Sequence, residues 1–317
     1  MKRYLTPLAA LAILATTHVA SAQVVETPDI AKNLHDLGNQ LTRETVGATM
    51  KIYGPLHAQT KTGGIEKVAD QTYGPAERNV LDVYRPEDAN GSQPIMIFAH
   101  GGGFVRGDKA GAANIGTYFA KHGVVTIVIN YRFAPDSQWP SGPEDVANVM
   151  SWVRDNAAIH GGDPANVVLA GNSAGSAHVA AYALYESYQI ENDGLIGLIL
   201  ISPPTANLTD HEIDPQRDAL YYGTDKSTFA ERSYINKLYG RTVPIMVAVS
   251  QYDIPLVQSQ AGQLVQALFE RDGHLPVLST AVGHNHISIV EHIGTGDETL
   301  GPDMLEFIKY QSLGMGK

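Results

Sequence analysis

Five apolar runs set the strongest limit on the architecture. Residues 94–99, 124–130, 167–170, 195–201 and 244–249 are rich in Val, Ile, Leu and Ala, with almost no polar alternation. A strand with one face in water alternates apolar and polar residues, whereas a strand covered on both faces reads as an unbroken apolar run. A shorter sixth run covers 276–281. An alternating segment, Asn79-Val80-Leu81-Asp82-Val83-Tyr84, precedes them all and stops at Pro86. Helical spacing fills the gaps. Val146, Val149, Met150 and Val153 fall at i, i+3, i+4 and i+7; Ala261, Leu264, Val265 and Leu268 do the same, and Gly273 follows as a stop. Strands alternating with helices predict an α/β domain with a mostly parallel central sheet and helices on both faces.

Three segments stand outside this rhythm. About forty residues, 203–243, separate the fourth and fifth runs, too many for a loop without structure of its own. Helices are expected there over 214–222 and 227–239, forming a small cap above the sheet. Residues 23–75 are polar and mixed, with a weak helical pattern near 30–41, and are expected to form an N-terminal arm or part of a lid. Residues 1–22 combine Lys2 and Arg3, an apolar stretch over 8–15 and the small-residue ending Ala20-Ser21-Ala22. That is the layout of a secretory signal peptide cut near Ala22, because the apolar stretch is far shorter than the roughly 20 residues needed to cross a bilayer. The expected divisions are thus 1–22, 23–75 and a main α/β domain over 76–317 that carries the cap, with the product secreted or periplasmic.

Composition narrows the function. The chain of 317 residues has a formal charge of −11, and loss of a leader holding two basic and no acidic residues would make it more acidic still. An acidic chain without basic clusters is poorly suited to nucleic acid or anionic lipid. No later apolar run is long enough to span a membrane. The absence of cysteine excludes disulfides, a thiol nucleophile and Cys-ligated metal.

The motifs carry the chemistry. Gly171-Asn172-Ser173-Ala174-Gly175 lies between an apolar run and an Ala-rich, helix-forming stretch. A serine alcohol needs a base to become a nucleophile. A sharp strand-to-helix turn exposes its oxygen and sets the next N–H at a helix start, provided small residues allow the backbone to approach closely. His100-Gly101-Gly102-Gly103-Phe104 follows another run. Consecutive glycines there can offer unobstructed N–H donors to an oxyanion, so Gly102, Gly103 and Ala174 are the expected oxyanion hole. A phosphate loop is excluded because no Gly-Lys-Ser/Thr follows. His100 is expected to fix this loop by hydrogen bonding.

The base is sought after the serine. Gly283-His284-Asn285-His286-Ile287 follows the last run; His286 is the expected base and His284 the alternative. The acid expected to orient it is Asp253, just beyond the run at 244–249, with Asp225 and Asp297 as weaker alternatives and capping of the following helix as another use for Asp253. A His-x-His pair also suits zinc, but no third ligand with suitable spacing is evident, so no metal is expected.

Taken together, His100–Phe104, Asn130-Tyr131-Arg132-Phe133-Ala134-Pro135, Glu144-Asp145, Gly161-Gly162-Asp163-Pro164 and Gly171–Gly175 resemble the hormone-sensitive-lipase-like carboxylesterases and related bacterial esterases. The match runs from about Val80 to His286. The resemblance implies the α/β-hydrolase fold, hydrolysis of a small-molecule ester through an acyl-enzyme on Ser173, no cofactor, and the same three oxyanion donors. Other acyl transfers (amidase, lactonase or peptidase) and a non-catalytic binding protein are the competing readings. The substrate pocket is not assignable to residues; Tyr221, Tyr222, Phe229, Tyr234 and Tyr239 either line it or pack. No oligomeric state follows.

Overall fold

The computed structural model describes residues 28–314. The expected leader and its cleavage site therefore lie outside the described residues. No helix among those described is long and apolar enough to cross a membrane.

Eight strands form one sheet: β1 (Ile65–Thr72), β2 (Val80–Pro86), β3 (Gln93–Ala99), β4 (Val125–Ile129), β5 (Gly162–Asn172), β6 (Leu195–Ile201), β7 (Ile245–Tyr252) and β8 (Val277–Asn285). Their spatial order is β1-β2-β4-β3-β5-β6-β7-β8. Only the β1–β2 and β2–β4 pairings are antiparallel; every pairing from β4 to β8 is parallel.

The unbroken apolar runs have a direct physical reading. In β3, Ile95, Ile97 and Ala99 enter one buried cluster, while Met96 and Phe98 enter another on the opposite face. Val167 and Leu169 of β5 divide from Val168 and Ala170 in the same way. Helices Ser141–Asn156, Ala174–Leu184 and Pro255–Asp272 supply the first cluster, through side chains such as Val146, Val149, Leu184 and Leu264. Helices Ala113–Lys121 and Gly301–Ser312 supply the second, through Phe119, Met304 and Ile308. Each fully buried aliphatic or aromatic side chain contributes ~1.5–3 kcal/mol relative to exposure.

The N-terminal segment holds more structure than its composition suggests. Helices Pro28–Leu37 and Arg43–His57 and the edge strand β1 all fall between residues 28 and 75. Thr42 begins the second helix with reciprocal bonds to Thr45. Thr49 on that helix accepts a 2.9 Å bond from Asn285 Nδ2, tying it to the end of β8.

The 203–243 segment folds into shorter pieces than expected. The helix expected over 214–222 is realised only as Asp218–Tyr222, because Asp214 turns the chain first, accepting from the Gln216 N–H at 2.7 Å. The helix expected over 227–239 breaks at Ser233, which is extended. Its hydroxyl donates to Phe229 O at 2.6 Å and accepts from the Leu208 N–H at 2.8 Å, diverting the backbone from a continuous helix. The segment is held down by aromatic contact: Phe104 and Tyr221 stack at 4.6 Å, and the Gly142 N–H donates to Tyr221 Oη at 3.0 Å.

Candidate active site

The parallel strands end on one edge of the sheet, where their following loops converge. At the end of β5 the chain turns into helix Ala174–Leu184 through Ser173, which takes φ 52° and ψ −122°. The strained angle falls on the serine itself. Its flanking glycines serve close approach: a Cβ at Gly171 would overlap the carbonyl oxygen of Gly175, and one at Gly175 would overlap that of Ala99. The Ser173 N–H donates to Ile201 O at 2.9 Å, pinning the turn to the neighbouring strand.

His286 follows β8 and Asp253 follows β7, and the two meet. His286 Nδ1 lies 2.5 Å from Asp253 Oδ1, and its Nε2 lies 3.0 Å from Ser173 Oγ. A carboxylate can only accept, so Nδ1 carries the proton and Nε2 presents a lone pair to the serine hydroxyl. Asp253 is fully buried. Burial alone would raise its pKa, but the His286 charge and hydrogen bond, with bonds from the Ser202 hydroxyl and the Ser250 N–H, together bring it below the ordinary value. It does not cap the following helix, whose start carries no side-chain cap.

The alternatives lie elsewhere. Asp225 is a local cap, accepting from the Ser227 N–H. His284 and Asp297 form a separate pair, with Nε2 and Oδ2 at 3.2 Å. His292 lies beside them, so the structure does bring two further groups to His284 that their spacing in the sequence conceals; ligand atoms of all three fall within 4.8 Å of one another. Their nitrogens are engaged by protein. His292 Nδ1 donates to Ser288 O at 2.8 Å while its Nε2 accepts the Leu300 N–H at 3.1 Å, and His284 Nδ1 meets Ser288 Oγ at 3.1 Å. The cluster reads as a buried hydrogen-bond network beneath the His286 loop.

The glycine loop after β3 faces Ser173. His100 Nδ1 donates to Gly101 O at 2.7 Å, and its ring stacks on Tyr131 at 4.5 Å. The Val105 N–H takes the Gly102 carbonyl. These bonds hold the loop through its carbonyls. Gly102 and Gly103 have φ of 144° and 60°. A Cβ at Gly102 would overlap Arg106 O, and one at Gly103 would sit 2.7 Å from Arg217 Cδ.

A cleft of about 320 Å³ opens beside Ser173, Gly102, Gly103 and His286. Its far walls come from Leu41, Val46 and Met50 of the N-terminal segment and from Ile287, Val290 and Glu291 after β8. A narrower recess, lined by Pro204, Ile254, Leu256 and Val257, also reaches Ser173 and shares Gly103, Arg217 and His286 with the cleft. The aromatics weighed for a pocket wall do other work. Tyr221, Tyr222, Phe229 and Tyr234 are buried in the core, and Tyr239 is 71% exposed. Sequence reasoning missed Ser202, Arg217 and Glu291. Only for Ser202, at the end of an apolar run next to the one preceding Asp253, was there a local cue.

This arrangement can be set beside known proteins. A family model described as BD-FAE matches residues 81–197. Esterase LipQ of Mycobacterium tuberculosis is 34% identical over 172 residues, covering 53% of this chain and 38% of that protein. Isoprenylcysteine alpha-carbonyl methylesterase ICME of Arabidopsis thaliana is 35% identical over 122 residues, covering 38% and 28%. The chain thus spans well under half the length of these relatives. Solved structures match far more completely. Esterase B from Lactobacillus Rhamnosis superposes with a TM-score of 0.66 at 18% identity, covering 91% of this chain and 98% of that one. The hyperthermophilic esterase from Pyrobaculum calidifontis gives 0.66 at 20% identity, covering 92% and 99%. The chain is an α/β-hydrolase in fold. The α/β-hydrolase expectation is met by the sheet order as well as by these likenesses, and the resemblance to esterases holds in both sequence and structure.

Proposed function

We propose that this α/β-hydrolase is a serine-dependent carboxylic-ester hydrolase, with Ser173 as nucleophile, His286 as base and Asp253 as its orienting acid. The single observation that carries the reading is the aligned chain of hydrogen bonds from Asp253 Oδ1 through His286 to Ser173 Oγ, opening on the cleft. In this mechanism His286 Nε2 takes the Ser173 proton as Oγ attacks the ester carbonyl. The N–H groups of Gly102, Gly103 and Ala174 receive the oxyanion. His286 then returns its proton to the departing alkoxide, leaving an acyl group on Ser173. Water, deprotonated by the same imidazole, releases the acid and restores the serine. Besides the ester and water, each step uses only side chains and backbone of this chain.

The cleft and the narrower recess at Ser173 support an ester with one longer and one short side. Esters and amides matched in acyl group test the reaction class, with Ser173→Ala as control. Ester turnover that depends on Ser173 is the expected result; amide turnover at a comparable rate would move the assignment to an amidase or peptidase.

A further inference from the structure

Glu291 is an acid in an apolar wall. It sits in the same cleft as Ser173, flanked by Val290 and Ile287 and faced by Val46 and Met50. The residue is 7% exposed, and its Oε2 makes no hydrogen bond. Burying a carboxyl without a partner costs stability, and such groups persist where they serve a ligand. The nearest counterpart, His57 Nδ1, lies 3.6 Å away, beyond hydrogen-bonding distance. That ring's Nε2 lies 2.7 Å from Glu291 O, a bond it must donate. Two other polar groups of this wall are differently placed. Asn114 Nδ2 is spent on Val290 O and Ile293 O, and Arg106 is exposed.

We propose that Glu291 is a specificity-determining residue that hydrogen-bonds a hydroxyl carried on the apolar part of the ester lying in this cleft. An anionic tip is disfavoured beside a carboxylate, and an ammonium suits only the ionised form. A hydroxyl both donates and accepts, so it satisfies the carboxyl in either form. Burial raises the Glu291 pKa to about 7, so both forms are present near neutrality. The apolar neighbours strengthen the discrimination, because no water need compete for the bond.

The inference rests on the ester-hydrolase reading, and one experiment separates the two. Wild type, Glu291→Gln and Glu291→Leu are assayed with p-nitrophenyl esters of straight-chain acids of increasing length, each ending in methyl, hydroxyl or ammonium, and with matched acetates bearing these groups on the alcohol side. The quantity read is the ratio of kcat/KM for hydroxyl over methyl at each length. A charge-assisted bond predicts a ratio of about ten or more at one length in wild type. The ratio should shrink in the Gln variant and fall to about one in the Leu variant. A wild-type ratio near one at every length overturns the inference without need of any variant. A ratio that survives Glu291→Leu overturns it as well, as does an equal loss for both tips, which would mark Glu291 as only a brace for the His57 helix. Preference for ammonium over hydroxyl overturns the assigned class in favour of a cation subsite. Absence of turnover with all these esters, in a folded protein, would overturn the hydrolase reading and remove the inference with it.

Discussion

The Ser202 hydroxyl lies 2.6 Å from Asp253 Oδ2, on the carboxylate oxygen that His286 does not use. The Ser250 N–H meets that same oxygen at 3.0 Å. One side of the carboxylate is thereby fixed by the ends of two neighbouring strands, and the other is left to orient the imidazole. Ser202→Ala should lower kcat/KM about tenfold, through loss of one bond to a buried charge. The loss should appear mainly in kcat, since Ser202 does not line the cleft. Removing the carboxylate itself, as Asp253→Asn, should cost about 10⁴-fold, because the imidazole tautomer is no longer enforced. Steady-state kinetics on the three proteins checks the order.

The strained serine makes a prediction about stability. A non-glycine residue at positive φ with this ψ costs ~1–3 kcal/mol. Ser173→Gly should therefore be more stable than Ser173→Ala by about 1 kcal/mol, although both lack turnover. Urea midpoints measure the difference, and equal midpoints would mean that the turn is unstrained.

The two loop glycines should differ in tolerance. At Gly102 an added methyl meets backbone, Arg106 O; at Gly103 it meets the flexible side chain of Arg217. Gly102→Ala is expected to lose both activity and thermal stability. Gly103→Ala should keep more of its stability, with activity down about 10²-fold if its N–H is displaced from the oxyanion. Activity and melting temperature measured together distinguish them.

Acid stability tests the second His–Asp pair. Burial opposes ionisation of Asp297, but hydrogen bonds from His284 and Thr299 and the nearby His292 bring its pKa from 3.8 to about 2. Between those values the unfolded chain takes up a proton that the folded chain does not. The contribution of Asp297 is therefore complete above 3.8 and lost as pH falls toward 2. Asp297→Asn should be less stable than wild type near neutral pH, by roughly 2 kcal/mol. The two should converge in acid. Denaturation at a series of pH values reads this directly.

How much was legible in the sequence follows from how local each signal was. The buried strands could be read because burial on both faces removes polar alternation, and the turn at Ser173 because strand, glycines and helix are contiguous. His286 and Asp253 could be placed by their position after apolar runs. Edge strand β1 was invisible for the opposite reason: Ile65 to Thr72 is mostly exposed and polar, and its pairing with β2 is broken by an irregularity between Val68 and Gln71. The cap helices were overestimated because Asp214 and Ser233 redirect the backbone through side-chain bonds that periodicity does not encode. The cleft was illegible because its walls join residues 41–50 to 287–291, and only the closed fold brings them together.

The central claim is that Ser173 is an activated nucleophile, and covalent labelling tests it most directly. The protein is treated with a fluorophosphonate probe, and the modified peptide is located by mass, alongside Ser173→Ala and His286→Ala. The account predicts stoichiometric label on Ser173, none in the alanine variant at that position, and labelling slowed by orders of magnitude without His286. A folded protein that takes no label, or takes it on another residue, would contradict it.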